Sequence, residues 1–362
     1  MSNPYYTFPE PPEEPELLPS NAPYPSEVRR HFSKVGLAYL AMTAAFLTVA
    51  YVAQLAVLFA CPTMMEAWWF SWALSLVPLY AVGLPVLWLC LRRVPVAPHN
   101  TDCTVRGQAL EKAPFGVKQW LILLVIAFGC MTAGGMAGNI IMTILSEVMQ
   151  YDYAFALNSM VTETPVWFTF LCTCICAPFG EELLFRKLLI DRTRRFGDFP
   201  AILLSGLLFG LFHGNLFQFF YAAMVGMVLA YVYTRTGRYL PCVAMHAVIN
   251  FVGSIVTPAV SGLVTPYLES DMMNEQVMAE LITDMNFLLA MLAYLLLVLW
   301  QYGMVSAGGI LFCVFFNRRK LSRGQTPLVE GSSTALSLTN PGVIACMVVM
   351  LLLVVVNLIP MR

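Results

Sequence analysis

Nine stretches of this chain are apolar over about the 20 residues a helix needs to cross the hydrocarbon core of a bilayer. They run approximately over 36–61, 67–91, 118–147, 166–190, 200–219, 220–236, 239–260, 286–316 and 342–361. A chain built this way has one practical solution. Each segment satisfies its own backbone hydrogen bonds as a helix, because lipid supplies no donors or acceptors. Composition agrees: 59% of the 362 residues are hydrophobic and 11% are charged, where a soluble domain carries about 25% charged residues. The expected fold is all-α, a polytopic membrane protein with about nine transmembrane helices. The net charge of −1 says nothing about nucleic acid, and no nucleic-acid partner is expected. The lipid bilayer is the partner that composition implies.

Charge placement predicts the orientation. With the start of the first segment assigned to the cytoplasm and the segments alternating, Arg29, Arg30, Lys34, Arg92, Arg93, Arg106, Lys112 and Lys118 fall inside. So do Arg186, Lys187, Arg192, Arg194, Arg195, Arg235, Arg238, Arg318, Arg319, Lys320 and Arg323. Of the 20 Lys and Arg residues only Arg362 falls outside. Loops 63–67, 151–165 and 261–286 contain none. The positive-inside bias therefore predicts a multi-pass protein of the cell membrane with a cytoplasmic amino terminus and an external carboxyl terminus.

Four regions follow. Residues 1–35 read as a disordered, Pro/Glu-rich cytoplasmic tail, opening around Pro9-Glu10-Pro11-Pro12-Glu13-Glu14, with too little apolar content to fold alone. No basic and apolar leader precedes it, so it does not read as a cleaved signal. Residues 36–165 hold the amino-terminal helices, 166–260 a core that carries the chemistry, and 261–362 an outer loop and the last helices. The ten cysteines are scattered; those in apolar runs, Cys172, Cys174 and Cys176 among them, are read as small packing residues. Gly134 and Gly138, and the longer stripe Gly206, Gly210 and Gly214, are small-residue spacings that let helices approach closely. The second stripe is expected to hold the fifth helix against a neighbour bearing polar groups.

Inside the core region, polar residues recur on apolar helices: Glu181-Glu182-Leu183-Leu184-Phe185-Arg186, Phe209-Gly210-Leu211-Phe212-His213 and His246-Ala247-Val248-Ile249-Asn250. A charge at membrane depth costs about 2.5 kcal/mol or more, so such residues mark function. Pro178 withdraws one helical hydrogen bond and Gly180 adds freedom, which predicts a bend just before the acids. Glu182 and Arg186 are four apart and pair on one face. Glu181 lies about 100° round the helix and stays free for work. At about 1.5 Å per residue, Glu181 sits roughly 16 Å from Arg192, His246 about 12 Å from Arg238 and His213 roughly 22 Å from Asp198. These depths allow the three to meet.

Carboxylate, imidazoles and amide together suit hydrolysis. Glu181 can take a proton from water while a histidine shares that proton or orients the water. A second histidine and Asn250 can donate to the oxyanion of an attacked carbonyl. The G-x-S-x-G elbow and the His-Glu-x-x-His zinc signature are both absent from the sequence. Glu181, His213 and His246 would nevertheless serve as a zinc ligand set with an open position.

The three motifs resemble those of the CPBP family, intramembrane proteases named for CAAX-prenyl and bacteriocin processing and also called the Abi family. Its patterns E-E-x-x-x-R, F-x-x-x-H and H-x-x-x-N are matched by Glu181-Glu182…Arg186, Phe209…His213 and His246…Asn250 in order. The flanking Ala177-Pro178-Phe179-Gly180 and Thr236-Gly237-Arg238-Tyr239-Leu240-Pro241 are also similar, and the resemblance covers about residues 165–255. It implies motif-bearing helices around a cavity reachable from the cytoplasm. It implies water activation by Glu181 and His213, an oxyanion held by His246 and Asn250, Phe209 lining the pocket, and Arg186 and Glu182 holding the first motif helix. It leaves zinc open and implies a membrane-embedded or lipidated peptide or protein as substrate. The competing readings are a non-catalytic regulator or scaffold on the same fold and, further off, a transporter, whose working acids would be spread over several helices.

Overall fold

The computed structural model describes residues 25–97, 104–105, 108–109, 115–151, 164–268, 275–316, 321 and 332–359. Among these residues the architecture is helical, apart from a two-residue antiparallel ladder pairing Thr104 with Ala109 and Val105 with Gln108. The helices are α1 (Pro25–Ala60), α2 (Trp68–Leu91), α3 (Val117–Met149), α4 (Val166–Phe196), α5 (Asp198–Phe212) and α6 (Leu216–Thr236). After them come α7 (Leu240–Leu268), the short α8 (Glu275–Leu281), α9 (Met285–Phe316), the short α10 (Ser332–Leu338) and α11 (Pro341–Val356). Seven of them, α1 to α4, α6, α7 and α9, are long and apolar enough to cross a membrane. The chain is a polytopic all-α membrane protein.

Three boundaries differ from expectation. Helix α1 starts at Pro25, so residues 25–35 are its opening turns rather than the end of a tail; residues 1–24 lie outside the described residues. Helix α5 has 15 residues and α11 has 16, about 22–24 Å by helical rise against a hydrocarbon core of about 30 Å. The fifth segment, expected to reach residue 219, stops at Phe212. The reason is local. His213 caps α5, Gly214 takes the left-handed region at φ 68°, and Asn215 Oδ1 accepts from Gln218 N–H at 2.8 Å to start α6. A helix stop and a helix start thus stand side by side.

Helix α6 is central, packed between α5 and α3, and α3 in turn lies along α9. Two glycine pairs make this possible. A Cβ on Gly134 would come within 2.5 Å of Tyr221 Cα, and one on Gly210 would meet Ala223 Cβ and Phe219 O at 2.8 Å. Gly206 and Gly210 therefore press α5 onto α6, which carries none of the three motifs. That corrects the expected neighbour of the stripe, and Gly214 belongs to the turn. Helix α1 packs on α2 and α11, and α7 crosses α4. One buried cluster joins α1, α2, α4, α5 and α11 through Phe32, Tyr39, Leu87, Phe185, Leu208 and Cys346.

Candidate active site

Helix α4 supplies both carboxylates, and it is not a uniform α-helix. Phe170–Cys176 and Leu183–Leu188 wind as π-helix on either side of the α-helical Ala177–Glu182. Wide turns of this kind are uncommon and concentrate at functional sites. Pro178 stands two residues after the first of them. A wide turn frees backbone carbonyls from regular pairing, and neighbouring helices supply donors along the length of α4. Tyr80 Oη donates to Cys176 O at 3.4 Å, Tyr39 Oη to Leu184 O at 2.5 Å and Ser205 Oγ to Phe185 O at 2.9 Å. Between the wide turns, Tyr239 Oη donates to Phe179 O, which also accepts from Leu183 N–H. At the far end Arg192 O takes a hydrogen bond from His31 at 2.7 Å. In a medium without water these are the partners available to such carbonyls. The Tyr239 phenol, just ahead of α7, is pushed up to about 12 by burial first and the Glu182 carboxylate second.

Glu182 and Arg186 are both fully buried and pair at 2.9 Å, as their spacing implies. Arg186 Nη1 continues to Ser205 Oγ at 2.7 Å, and its guanidinium lies over the Phe209 ring, 5.0 Å from the centroid. The other Glu182 oxygen meets His246 Nδ1 at 3.0 Å. His246 Nε2 then faces Glu181 Oε2 at 3.8 Å. One imidazole therefore sits between two adjacent carboxylates. Glu182 is closed off from solvent, whereas the Glu181 side chain keeps 17% of its surface exposed. Burial separates the two acids: one is locked into a pair, the other reaches out.

Phe209 joins the remaining histidine to this group. Its buried ring stands edge-on to His213 at 4.9 Å and to His246 at 5.7 Å between centroids. His213 Nδ1 is bonded to Phe209 O at 2.8 Å, so among the described residues Nε2 is the nitrogen left for other work. The turn carrying His213 is held from outside the motifs, since Asn357 Nδ2 donates to Gly214 O at 2.7 Å.

Glu181, Glu182, Arg186, Phe209, His213 and His246 are thus gathered at one place. Asn250 is placed differently from expectation: its Nδ2 donates to Thr173 O at 2.8 Å, on the π-helical turn ahead of Pro178. Among the described residues no three His, Cys, Asp or Glu side chains are grouped to hold a metal ion, while the bond from His246 Nδ1 to Glu182 leaves Nε2 of that ring directed at Glu181. Cys172 and Cys174 are buried and Cys176 is half-buried, as packing residues are. Sequence reasoning missed Tyr39, Tyr80, Ser205, Tyr239 and Asn357. Each is a single polar residue in another segment, and no spacing rule links it to the carbonyl it serves.

No curated protein and no solved structure matches the chain. Residues 163–252 match a family model described as Type II CAAX prenyl endopeptidase Rce1-like. The matched segment spans all three motifs and stops two residues after Asn250. The resemblance drawn from Glu181-Glu182…Arg186, Phe209…His213 and His246…Asn250 is to a protease family, and over residues 163–252 this multi-pass membrane protein is similar to the Rce1-like endopeptidases.

Proposed function

We propose that the protein is an intramembrane endopeptidase that hydrolyses a peptide bond of a membrane-associated or lipidated peptide, using water activated by Glu181. The observation that carries this reading is the imidazole of His246 set between Glu182, at 3.0 Å, and the part-exposed Glu181, at 3.8 Å. Glu181 accepts a proton from water as the oxygen attacks the scissile carbonyl, and His213 Nε2 accepts from the same water and aims it. The oxyanion that forms takes a hydrogen bond from His246 Nε2–H. Collapse breaks the C–N bond, and Glu181 returns its proton to the leaving amine. The products are a carboxylic acid and an amine.

The buried Arg186–Glu182 pair supports this division of labour, since it engages Glu182 and leaves Glu181 as the part-exposed carboxylate. We place the basic ends of the helices, Arg92 and Arg93 of the α2 end and Arg235 and Arg238 of the α6 end, on the cytoplasmic side, where a lipidated protein tail would arrive.

The test uses detergent-purified full-length protein and a peptide panel, prenylated and unprenylated, with wild type and Glu181→Ala compared in the presence and absence of a strong chelator. Cleavage by wild type should be abolished in the variant and unchanged by chelator. Loss with chelator overturns the metal-free chemistry, and a cellular role that survives Glu181→Ala favours a regulator on the same fold.

A further inference from the structure

We infer that Asn250 is a positioning residue for the active-site helix, standing in for the backbone proton that Pro178 lacks. The inference rests on the protease reading above. Within Phe170–Cys176 the hydrogen bonds run five residues back: Ala177 N–H donates to Cys172 O. In that register the next carbonyl, Thr173 O, would take its proton from residue 178. That residue is proline and has none. The position opposite is filled by Asn250 Nδ2, which donates to Thr173 O at 2.8 Å. An unpaired carbonyl at membrane depth is strongly disfavoured, so the side chain completes a ladder that the sequence itself interrupts.

The position of this bond gives it a functional consequence. Pro178 opens the short α-helical stretch Ala177–Glu182 that ends on the two carboxylates. Helix α7 and its N-cap residue grip α4 at three points: Tyr239 on Phe179 O, His246 on Glu182 and Asn250 on Thr173 O. The first and last are backbone anchors on either side of Pro178, and the middle one is the catalytic imidazole. Fixing the backbone on both sides sets the rotation and height of Glu181 relative to His246. Thr173 lies eight residues from Glu181, roughly 12 Å along the axis, so an amide committed there acts through the helix.

A compensating substitution separates this role from direct oxyanion donation. Pro178→Ala restores a backbone N–H able to reach Thr173 O. Wild type, Asn250→Ala, Pro178→Ala, the double variant and Glu181→Ala are compared on a quenched farnesylated peptide, with backbone hydrogen exchange over residues 174–182 as a readout independent of turnover. Asn250→Ala should lower kcat by about tenfold, the size of one unmade buried hydrogen bond, leave KM nearly unchanged, and speed exchange in that segment. The double variant should regain both the rate and the protection of Pro178→Ala alone. A double variant as impaired as Asn250→Ala, with exchange in 174–182 the same in all forms, overturns the inference and returns Asn250 to the oxyanion. If Glu181→Ala retains the wild-type rate, the protease reading itself falls, while the exchange comparison still decides what Asn250 does.

Discussion

Arg186 binds three parts of the site with one side chain: the Glu182 carboxylate, the Ser205 hydroxyl and the face of Phe209. Removing one partner of a buried ion pair leaves a bare charge, which destabilises by about 3–5 kcal/mol. Arg186→Ala should therefore lower the melting temperature in detergent sharply and abolish activity with it. Ser205 is a smaller link in the same chain, since its hydroxyl accepts from Arg186 and donates to Phe185 O. Ser205→Ala strands both groups and should cost about 1–3 kcal/mol, visible as a lower melting temperature in a protein that still folds. If the two variants unfold at the same temperature, the network is not centred on Arg186.

At the scale of elements, the close approach of α3 and α6 sets where the motif helices stand. A methyl group on Gly134 would run into the backbone of Tyr221 and Phe220, while at the adjacent Gly135 nothing lies within 4 Å. Gly134→Ala should therefore force the helices apart and destabilise by about 1–3 kcal/mol. Gly135→Ala, on the same helix and of the same chemistry, should be neutral or slightly stabilising through helix propensity. Thermal unfolding of the two variants side by side checks this. Equal behaviour would mean that α3 and α6 are not in contact at Gly134. The shortness of α5 belongs to this scale too. A 15-residue helix ending at the His213–Asn215 turn leaves His213 at its last turn, one turn after Phe209.

For the whole molecule, the proposed topology makes a prediction that needs no substrate. Cys61 lies exposed just after α1, at the end opposite to Arg29, Arg30 and Lys34. With the amino terminus inside, a membrane-impermeant maleimide should label Cys61 in intact cells, and Cys61→Ser should remove that label. Labelling of Cys61 only in inverted vesicles would reverse the orientation. It would also move the basic helix ends away from the cytoplasm, and with them the proposed route for lipidated substrates.

The sequence alone was enough to determine the membrane class, the order of the apolar segments and the pairing of Glu182 with Arg186. Period, length and charge bias are local quantities, and the Glu182–Arg186 pair needs only the geometry of one helix. The stop at Gly214-Asn215 was not legible, because the apolar run on either side hides it and Gly214 continues the spacing of Gly206 and Gly210. What only the tertiary structure decided is which group meets which. His246 faces both carboxylates, Asn250 reaches back to Thr173, and Tyr39, Tyr80 and Tyr239 find carbonyls on a helix far from them in the chain. The physical reason lies in the wide turns of α4. They leave carbonyls without regular partners in a medium that offers no water, and only the packing of the whole bundle determines where the replacement donors come from.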